Sequence, residues 1–412
     1  MSALSPDTVG PPAWLAPTPK RSPSGHSLTP AEAGRMIHQA CEMIPITRMH
    51  DLQPLGLLDV PTWAAVTPLL QDLTVHLGKG ESSELAWLSA AFEAVERFCG
   101  ERLPLAAHDS PNPEMESRQA CALLALDNAF SDDFRDGRWV DAWDLIQEAW
   151  VRLPEAAVVS PSMLGNELRA HTNGLAAGGT MVEAVVHAIY ELIERDATTV
   201  AELSRDFARE DPGILRVDPA SLGGTVQRAA TRIQSSGAEL SLLELRGIAG
   251  VPVYEAHLRD ADFPGFAGEA VELVGAGACL DPSIAALRAV LEAGQAHAGL
   301  FLGSREGFEG LDDENPPTER PEALVRRTRI FTEVPRINSA HEFDKFSDLL
   351  EELQELVGRL RTSGLKHLFV ADLTNDAISI PVARVIGPDL ASPLGSWIAD
   401  VPLRALKGIL RS

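Results

Sequence analysis

Three stretches of this 412-residue chain repeat one helical design, and any fold must bring their matching faces to useful places: SAAFEAVERF (89–98), HAIYELIERD (187–196) and RAVLEAGQAH (288–297). At about 100° per residue, Ser89, Glu93 and Glu96 share an arc of about 60°. His187, Glu191 and Glu194 repeat that arc, as do Arg288, Glu292 and Gln295, while Arg97 and Arg195 follow at one common offset. Glu183 joins the second stripe one turn before His187. The opposite sides are apolar: Leu88, Phe92 and Val95; Val185, Ile189 and Leu192; Leu287, Val290 and Leu291. Each helix is therefore anchored by one face and presents a narrow polar stripe by the other. A single stripe of this kind reads as a solvated face with i,i+4 ion pairs such as Glu93–Arg97. Three of matching offset, with carboxylates and arginine in place of a Lys/Glu mixture, suggest a shared purpose.

Carboxylates converging from separate helices suit a hard divalent cation. Mg²⁺ takes one or two of them, keeps waters and completes its octahedron with substrate phosphates. Arginines beside them orient carboxylates or grip phosphate oxygens in pairs. Gly78-Lys79-Gly80 lies ahead of the first helix, and Asn173-Gly174 through Gly178-Gly179 ahead of the second. Such glycines let backbone N–H groups approach an anion, and Lys79 adds a point charge. Neither loop is a Walker A, and GxSxG, HExxH and GxGxxG are all absent, which argues against P-loop, serine-hydrolase, zincin and ordinary dinucleotide chemistry. His187 on the stripe is open to either a substrate contact or a structural role. His76, His171 and His297 have no metal-ligand spacing.

The remaining chain bounds the class. A net charge of −24 disfavours nucleic acid and anionic membranes as partners. Four scattered cysteines without a CxxC read as inert thiols of a reducing compartment. With no signal-peptide pattern and no long apolar run, a cytoplasmic location is expected. Seven prolines within residues 1–30 mark 1–27 as a disordered or irregular lead-in. Residues 28–412 are expected to form one large α+β domain, with mixed sheets packed against helices. Helices are predicted over 28–43 (Thr29 as N-cap, Pro30 first), 82–99, 181–197, 282–298 (capped by Asp281) and 341–364. A strand is expected within 73–82, short strands and turns within 44–68, a hairpin over 241–260, and strands at 367–373 and 381–387. Residues 141–154 carry short apolar runs, 167–180 read as a glycine-rich loop, and 305–324 as an acidic, proline-bearing surface loop. The helix at 341–364 and an edge strand near 367–373 are candidate docking or dimer surfaces, with core packing the plainer reading.

SAAFEAVER, TNGLAAGGTMVEAVVHAIYELIERDA and RAVLEAGQ, in this order, resemble the three ATP-site motifs of the YcaO family. Weaker similarity runs from ITRMHDLQPLGLLDVPTWAAVTP through HLGKGES to VADLTNDAISIPVARVIGPDL, so that it covers about residues 44–390. The resemblance implies ATP- and Mg²⁺-dependent phosphorylation of a peptide backbone amide, with the ATP site between the helices that carry the ExxER-like stripes. It implies Glu93, Glu96, Glu191, Glu194 and Glu292 as metal carboxylates. Lys79, Ser89, Arg97, Asn173, Glu183, Arg195, Arg288 and Gln295 are implied as ATP contacts, and Glu191, Glu194, Arg195 and Arg288 as the catalytic set. An adjacent Cys, Ser or Thr would give an azoline, and external sulfide a thioamide. Azoline-forming members end in a PxPxP tail, whereas this chain ends VPLRALKGILRS. TRMHDL to PTWAAV and PVARVIGP look more like the thioamide-forming branch associated with TfuA partners, although VIGPDL puts Asp389 where that branch has glycine. The expected partners are a precursor peptide or protein, a TfuA-like protein and a sulfide donor; a homodimer is compatible with the sequence. Two rivals stay open: an ATP-grasp-like amide ligase, and a nucleotide-sensing scaffold without turnover.

Overall fold

The computed structural model describes residues 10–22, 24–55, 58–71, 73–102, 107–109, 112–124, 137–164, 167–169, 172–207, 215–260, 271–302, 336–337 and 345–391. In chain order the elements are α1 (Pro30–Cys41), β1 (Arg48–Asp51), β2 (Thr62–Val66), β3 (Val75–Lys79), α2 (Ser83–Gly100), α3 (Pro113–Leu123), β4 (Trp139–Asp144), β5 (Ala149–Pro154), α4 (Glu155–Val158), β6 (Ser162–Leu164), β7 (Glu167–Arg169), β8 (Leu175–Ala177) and α5 (Met181–Phe207). They continue with β9 (Leu215–Val217), α6 (Gly224–Ser235), β10 (Glu239–Leu245), β11 (Val253–Asp260), β12 (Val271–Ala278), α7 (Pro282–Leu302), β13 (Arg336–Ile337), α8 (Leu349–Thr362), β14 (Phe369–Asp372) and β15 (Val382–Ile386). The expected mixed α+β architecture is what forms.

The strands make a three-stranded sheet β1-β2-β3, two five-stranded sheets β12-β11-β10-β9-β13 and β5-β4-β14-β15-β8, and the pair β6-β7. Helices fill the spaces between them. α2 packs on β2 and β3 and also meets β8 and β15; α5 meets β8 and β15 as well as β12; α7 covers β11 and β12 and reaches β3. Each acid-bearing helix thus contacts strands of two different sheets, so the polar stripes cannot all face solvent. The main core cluster gathers α5, α6, α7, α8 and the β10–β12 hairpins, and a second gathers α1, α2 and the β4–β5 and β14–β15 strands.

Local chemistry explains the ends. Thr29 and Glu32 form a capping box at α1, with Pro30 at its first position. Ser82 caps α2 by accepting from the Leu85 N–H. At the head of α7 the Asp281 carboxylate accepts from the Ser283 N–H at 2.9 Å. Asp348 caps α8 in the same way, accepting from the Leu350 N–H at 2.8 Å.

Several expectations need correction. The 167–180 loop contains β7 and β8, and β8 pairs with β15 through Leu175↔Arg384 and Ala177↔Val382. α5 runs on to Phe207 and α7 to Leu302, because apolar positions keep the helical period beyond the acidic stripes. The long helix begins at Leu349, after its Asp cap, so 345–348 of the expected helix are not helical, while 341–344 lie outside the described residues. The strand near 367–373 is not an edge: β14 lies between β4 and β15, its backbone groups are used on both sides, and it offers no strand-addition surface. The apolar runs in 141–154 are the β4–β5 hairpin. The acidic loop at 305–324 lies outside the described residues, as does the chain end after 391. Residues 10–22 and 24–27 hold no helix, yet Trp14 and Leu15 pack on the main core and Lys20 N–H donates to the Ser347 carbonyl at 2.9 Å. No helix among the described residues is long and apolar enough to cross a membrane.

Candidate functional site

The strand-to-helix units β3–α2 and β8–α5, together with α7, deliver eight of the nominated residues to one neighbourhood. From α2, Arg97 donates through Nε and Nη2 to Glu93 Oε1 at 3.0 and 2.9 Å and lies 3.8 Å from Glu96. From α5, Arg195 lies 4.0 Å from Glu191 and 3.6 Å from Glu194. Between β3 and α7, Lys79 Nζ donates to Glu292 Oε2 at 2.5 Å. Charges from different helices act on one another: Glu191 raises Glu96, Glu292 raises Glu194, and Arg195 lowers Glu292. None is sealed off; the side chains of Glu93, Glu191 and Glu292 keep about 30% of their surface and that of Glu194 11%.

The carboxylates divide into two kinds. Burial opposes the ionisation of all five, but Arg97 holds Glu93, and Lys79 holds Glu292, below the ordinary carboxylate range. Glu96, Glu191 and Glu194 go the other way. Burial and the Glu93 charge push Glu96 well up, burial raises Glu191, and burial with the Glu292 charge lifts Glu194 to about 7. The cationic partners present do not neutralise this set. It fits an ion of the Mg²⁺ class, whose ligands are oxygens and whose charge would replace the protons.

Sequence reasoning missed Arg384. It sits on β15, 1% exposed, and its charge bears on Glu191, Arg97 and Glu96. Burial draws its guanidinium down to about 10. The signal was present as a lone arginine within the apolar strand PVARVIG, since an arginine is almost never fully buried unless it is paired.

Other nominated residues have more structural settings. Gly78 lies inside β3, where a Cβ would fall 2.0 Å from the Ala90 nitrogen. It serves the close approach of β3 to α2 and is not an anion-binding turn. Gly174 has φ +75°, and a Cβ there would meet the Val385 carbonyl at 2.1 Å; its N–H donates to Glu191 Oε2 at 3.1 Å. The Gly178 N–H goes to the Pro381 carbonyl and that of Gly179 to Glu183. The glycine loop thus spends these N–H groups on protein acceptors. Asn173 precedes Gly174 in this turn and is half-buried, as is Ser89, one turn before Glu93 on α2. Gln295 donates to the Leu77 carbonyl at 2.5 Å, tying α7 to β3.

Glu183 and Arg288 stand apart from the acid cluster. Glu183 is buried beside His26, Ser27 and His187. Arg288 donates to the Ala278 carbonyl at 3.5 Å and lies 5.9 Å over the Tyr190 ring. Burial and the Arg288 charge hold His187 down to about 3, which keeps it neutral. A cavity of about 200 Å³ lies here, lined among others by Lys20, Ser22, His187, Tyr190, Arg288 and Glu352. His76 is structural: buried, with Thr67 Oγ1 at 2.6 Å.

Comparison with known proteins gives the following. The sequence pattern of the family described as YcaO cyclodehydratase, ATP- and Mg²⁺-binding, matches residues 77–391. An uncharacterized protein of Methanothermobacter thermautotrophicus is 29% identical over 384 residues, spanning 88% of this chain and 94% of that one. An uncharacterized protein in the tfuA 3′ region of Rhizobium leguminosarum bv. trifolii is 29% identical over 421 residues, 96% and 97% of the two chains. Among solved structures, YcaO from Methanopyrus kandleri bound with AMPPCP and Mg²⁺ superposes with a TM-score of 0.70 at 25% identity, over 91% of this chain and 95% of that one. A heterocyclase in complex with substrate and cofactor superposes with a TM-score of 0.68 at 22% identity, over 93% of this chain and 54% of that one, which speaks for the fold alone.

Proposed function

The chain belongs to the YcaO family, and on that premise we propose that it uses Mg²⁺ and ATP to activate a peptide backbone amide and that hydrosulfide then converts the amide to a thioamide. The amide oxygen takes the γ-phosphoryl group and ADP departs. Hydrosulfide adds to the carbonyl carbon, and phosphate leaves carrying the former amide oxygen. Phosphoryl transfer asks mainly for positioning and charge neutralisation, and the acid cluster is suited to both. Glu96, Glu191 and Glu194 are the carboxylates with charge to spare; Glu93 and Glu292 complete the oxygen set. Mg²⁺ held there supplies neutralisation of the charge on the transferred phosphoryl group. Lys79, Arg97 and Arg195 keep the carboxylates oriented and offer N–H donors to phosphate oxygens, with Arg288 doing so from the cavity side. Arg384 steadies Glu96 and Glu191 from beneath.

The observation that carries the activation step is the convergence of five carboxylates from three helices with too few cations to balance them. What favours sulfide over an internal side chain is the relative from the tfuA 3′ region, similar along nearly its whole length. A TfuA-like protein is accordingly the partner we assign, with a ribosomally made peptide or a protein as substrate. The family's description as a cyclodehydratase and the heterocyclase neighbour favour a second reading, azoline formation at Cys, Ser or Thr.

Mass spectrometry separates the two. A peptide encoded beside this gene is incubated with the protein, a TfuA-like partner, Mg-ATP and sulfide. A gain of about 16 Da marks oxygen replaced by sulfur, and a loss of about 18 Da marks water expelled in ring closure. The first is expected; the second, or ATP consumption with an acyl phosphate formed on a free carboxylate, overturns the thioamide reading.

A further inference from the structure

Among the described residues β12 is an edge of its five-stranded sheet and pairs with β11 alone. The Cys279 N–H donates to the Pro252 carbonyl at 3.3 Å, and hydrogen-bonded pairs alternate along an antiparallel ladder. In this register Gly277, Gly275 and Leu273 therefore turn their backbone groups to β11, while Ala278, Ala276, Val274 and Glu272 turn theirs outwards. Helix α7 engages the outward groups nearest the acid cluster: the Ala278 carbonyl accepts from Arg288 at 3.5 Å, and the Ala276 N–H faces the Glu292 carboxylate. Farther along, no backbone group among the described residues takes the outward N–H and C=O of Val274 or Glu272. The side chains leave this stretch open as well. Gly275 and Gly277 lie against α7, where a Cβ on either would fall 2.2 Å from helix backbone. Val274, on the opposite face, is 45% exposed. Proteins guard exposed edges with lysine, proline or a bulge. VELVGAGA (271–278) carries neither residue, and its register with β11 runs without a bulge.

We propose that an extended segment of the substrate peptide adds to the outer edge of β12 as a further strand, pairing with Val274 and Glu272, and is led by that edge to the acid cluster. The inference rests on the peptide-amide reading above and says how that peptide is held. The edge is continuous with the site, since Ala276 faces Glu292 and Glu292 in turn holds Lys79 at 2.5 Å. Main-chain pairing also suits a reaction on main chain: backbone hydrogen bonds supply the affinity, and side chains are sampled only at alternate positions. The ladder aims the reacting group as well. In a regular sheet one peptide carbonyl would accept the Ala276 N–H. Glu292 faces that N–H instead, so this carbonyl oxygen has no strand partner and is left beside the acid cluster. One amide is thereby singled out by its place in the ladder. Arg288, on the Ala278 carbonyl, closes the ladder beyond it.

The test measures binding of a fluorescently labelled peptide encoded beside this gene to the full chain, with Mg²⁺ and AMPPCP and without sulfide. The peptide is then N-methylated one residue at a time, which leaves the protein untouched. Strand addition predicts a period of two within the docked segment. Methylation at alternate residues should weaken binding about tenfold, and methylation between them less than about threefold. On the protein side, Val274→Pro deletes one outward donor and spares the β11 ladder, because proline is accepted at an edge whose N–H faces outwards. It should melt with the parent chain and bind the peptide about tenfold more weakly. The peptide should also slow hydrogen exchange across residues 272–276 of the parent chain. No binding by the parent chain, methylation effects without the alternation, or parent-like affinity in Val274→Pro overturns the proposal. So does a Val274→Pro chain that sediments as a smaller oligomer with peptide affinity intact, which assigns the edge to a second copy. Turnover enters none of these readouts. A peptide that is thioamidated without the alternation leaves the reaction standing and removes this docking mode; one that docks with the alternation and stays unmodified does the reverse.

Discussion

Helix α5 carries two kinds of carboxylate only a few turns apart. Glu183 accepts from the His26 ring, the Ser27 N–H and hydroxyl and the Gly179 N–H, and is held down to about 2 against the pull of burial. Glu191 has one backbone donor and an arginine at 4.0 Å, Glu194 has an arginine at 3.6 Å, and burial raises both. Residue type and helix are the same. The difference lies in the compensation: the protein supplies it at Glu183, and at Glu191 and Glu194 we propose that an outside cation does. A carboxylate satisfied by the protein ties a segment down, whereas an undercompensated one is a candidate for function.

The largest effect should come from neutralising the undercompensated end. Glu191→Gln or Glu194→Gln is expected to lower Mg²⁺-dependent ATP turnover about a thousandfold, read as phosphate release. Thermal melts in chelator should be unchanged or higher, because each variant removes a buried charge. Turnover within a few fold of the parent chain, with normal Mg²⁺ dependence, would remove these residues from the site.

Next is Lys79→Met. It strips Glu292 of its 2.5 Å partner, so the Glu292 carboxyl rises and holds its proton to higher pH. The expected result is about a tenfold loss of turnover near neutrality, partly regained as the pH increases. A pH profile that does not move would show that Lys79 does not govern Glu292.

The contrast also predicts how stability responds to pH. Glu96, Glu191 and Glu194 are raised in the folded chain, so without metal it binds more protons than the unfolded chain between the ordinary carboxylate range and about 7. Their contribution is present below the unfolded value and is lost as pH rises through the folded one. The Mg²⁺-free melting temperature should therefore fall from pH 5 to 8, and Glu194→Gln should flatten that slope. Mg²⁺ should bind more tightly across the same interval, since it displaces protons. Glu183, depressed, works in the opposite sense and only in acid.

The smallest effect belongs to the satisfied end. Glu183→Gln should speed proteolytic cleavage within residues 10–27 several-fold while leaving the Mg²⁺ concentration needed for turnover unchanged. A shifted Mg²⁺ requirement would erase the distinction drawn along α5.

What the sequence made legible was local. The stripes, the caps at Thr29 and Asp281 and the hairpin at 241–260 follow from periodicity and short-range hydrogen bonding, and the helices and strands appear where these signals lie. What it hid depends on long-range pairing. β14 is interior because β4, more than two hundred residues earlier, occupies its other side, and nothing within HLFVADL records that. The same holds for His26 and Ser27, which reach Glu183 across a sequence gap of 157 and 156 residues from a stretch whose prolines suggested only irregularity. Lys79 was nominated for phosphate from the glycines beside it, yet its partner is Glu292, while Gly78 serves packing against α2. Spacing along one helix reveals which residues share a face, but not which faces meet.

The central claim is that Glu93, Glu96, Glu191, Glu194 and Glu292 hold the metal of a nucleotide complex. Electron paramagnetic resonance of Mn²⁺, a reporter for Mg²⁺ oxygen sites, tests it most directly when titrated into the full chain with a non-hydrolysable ATP analogue. The account predicts nucleotide-dependent loss of the free Mn²⁺ signal in the parent chain, weakened at least tenfold in Glu194→Gln and unaffected in His26→Ala. Equal Mn²⁺ uptake by the parent chain and Glu194→Gln, or uptake indifferent to nucleotide, would contradict it.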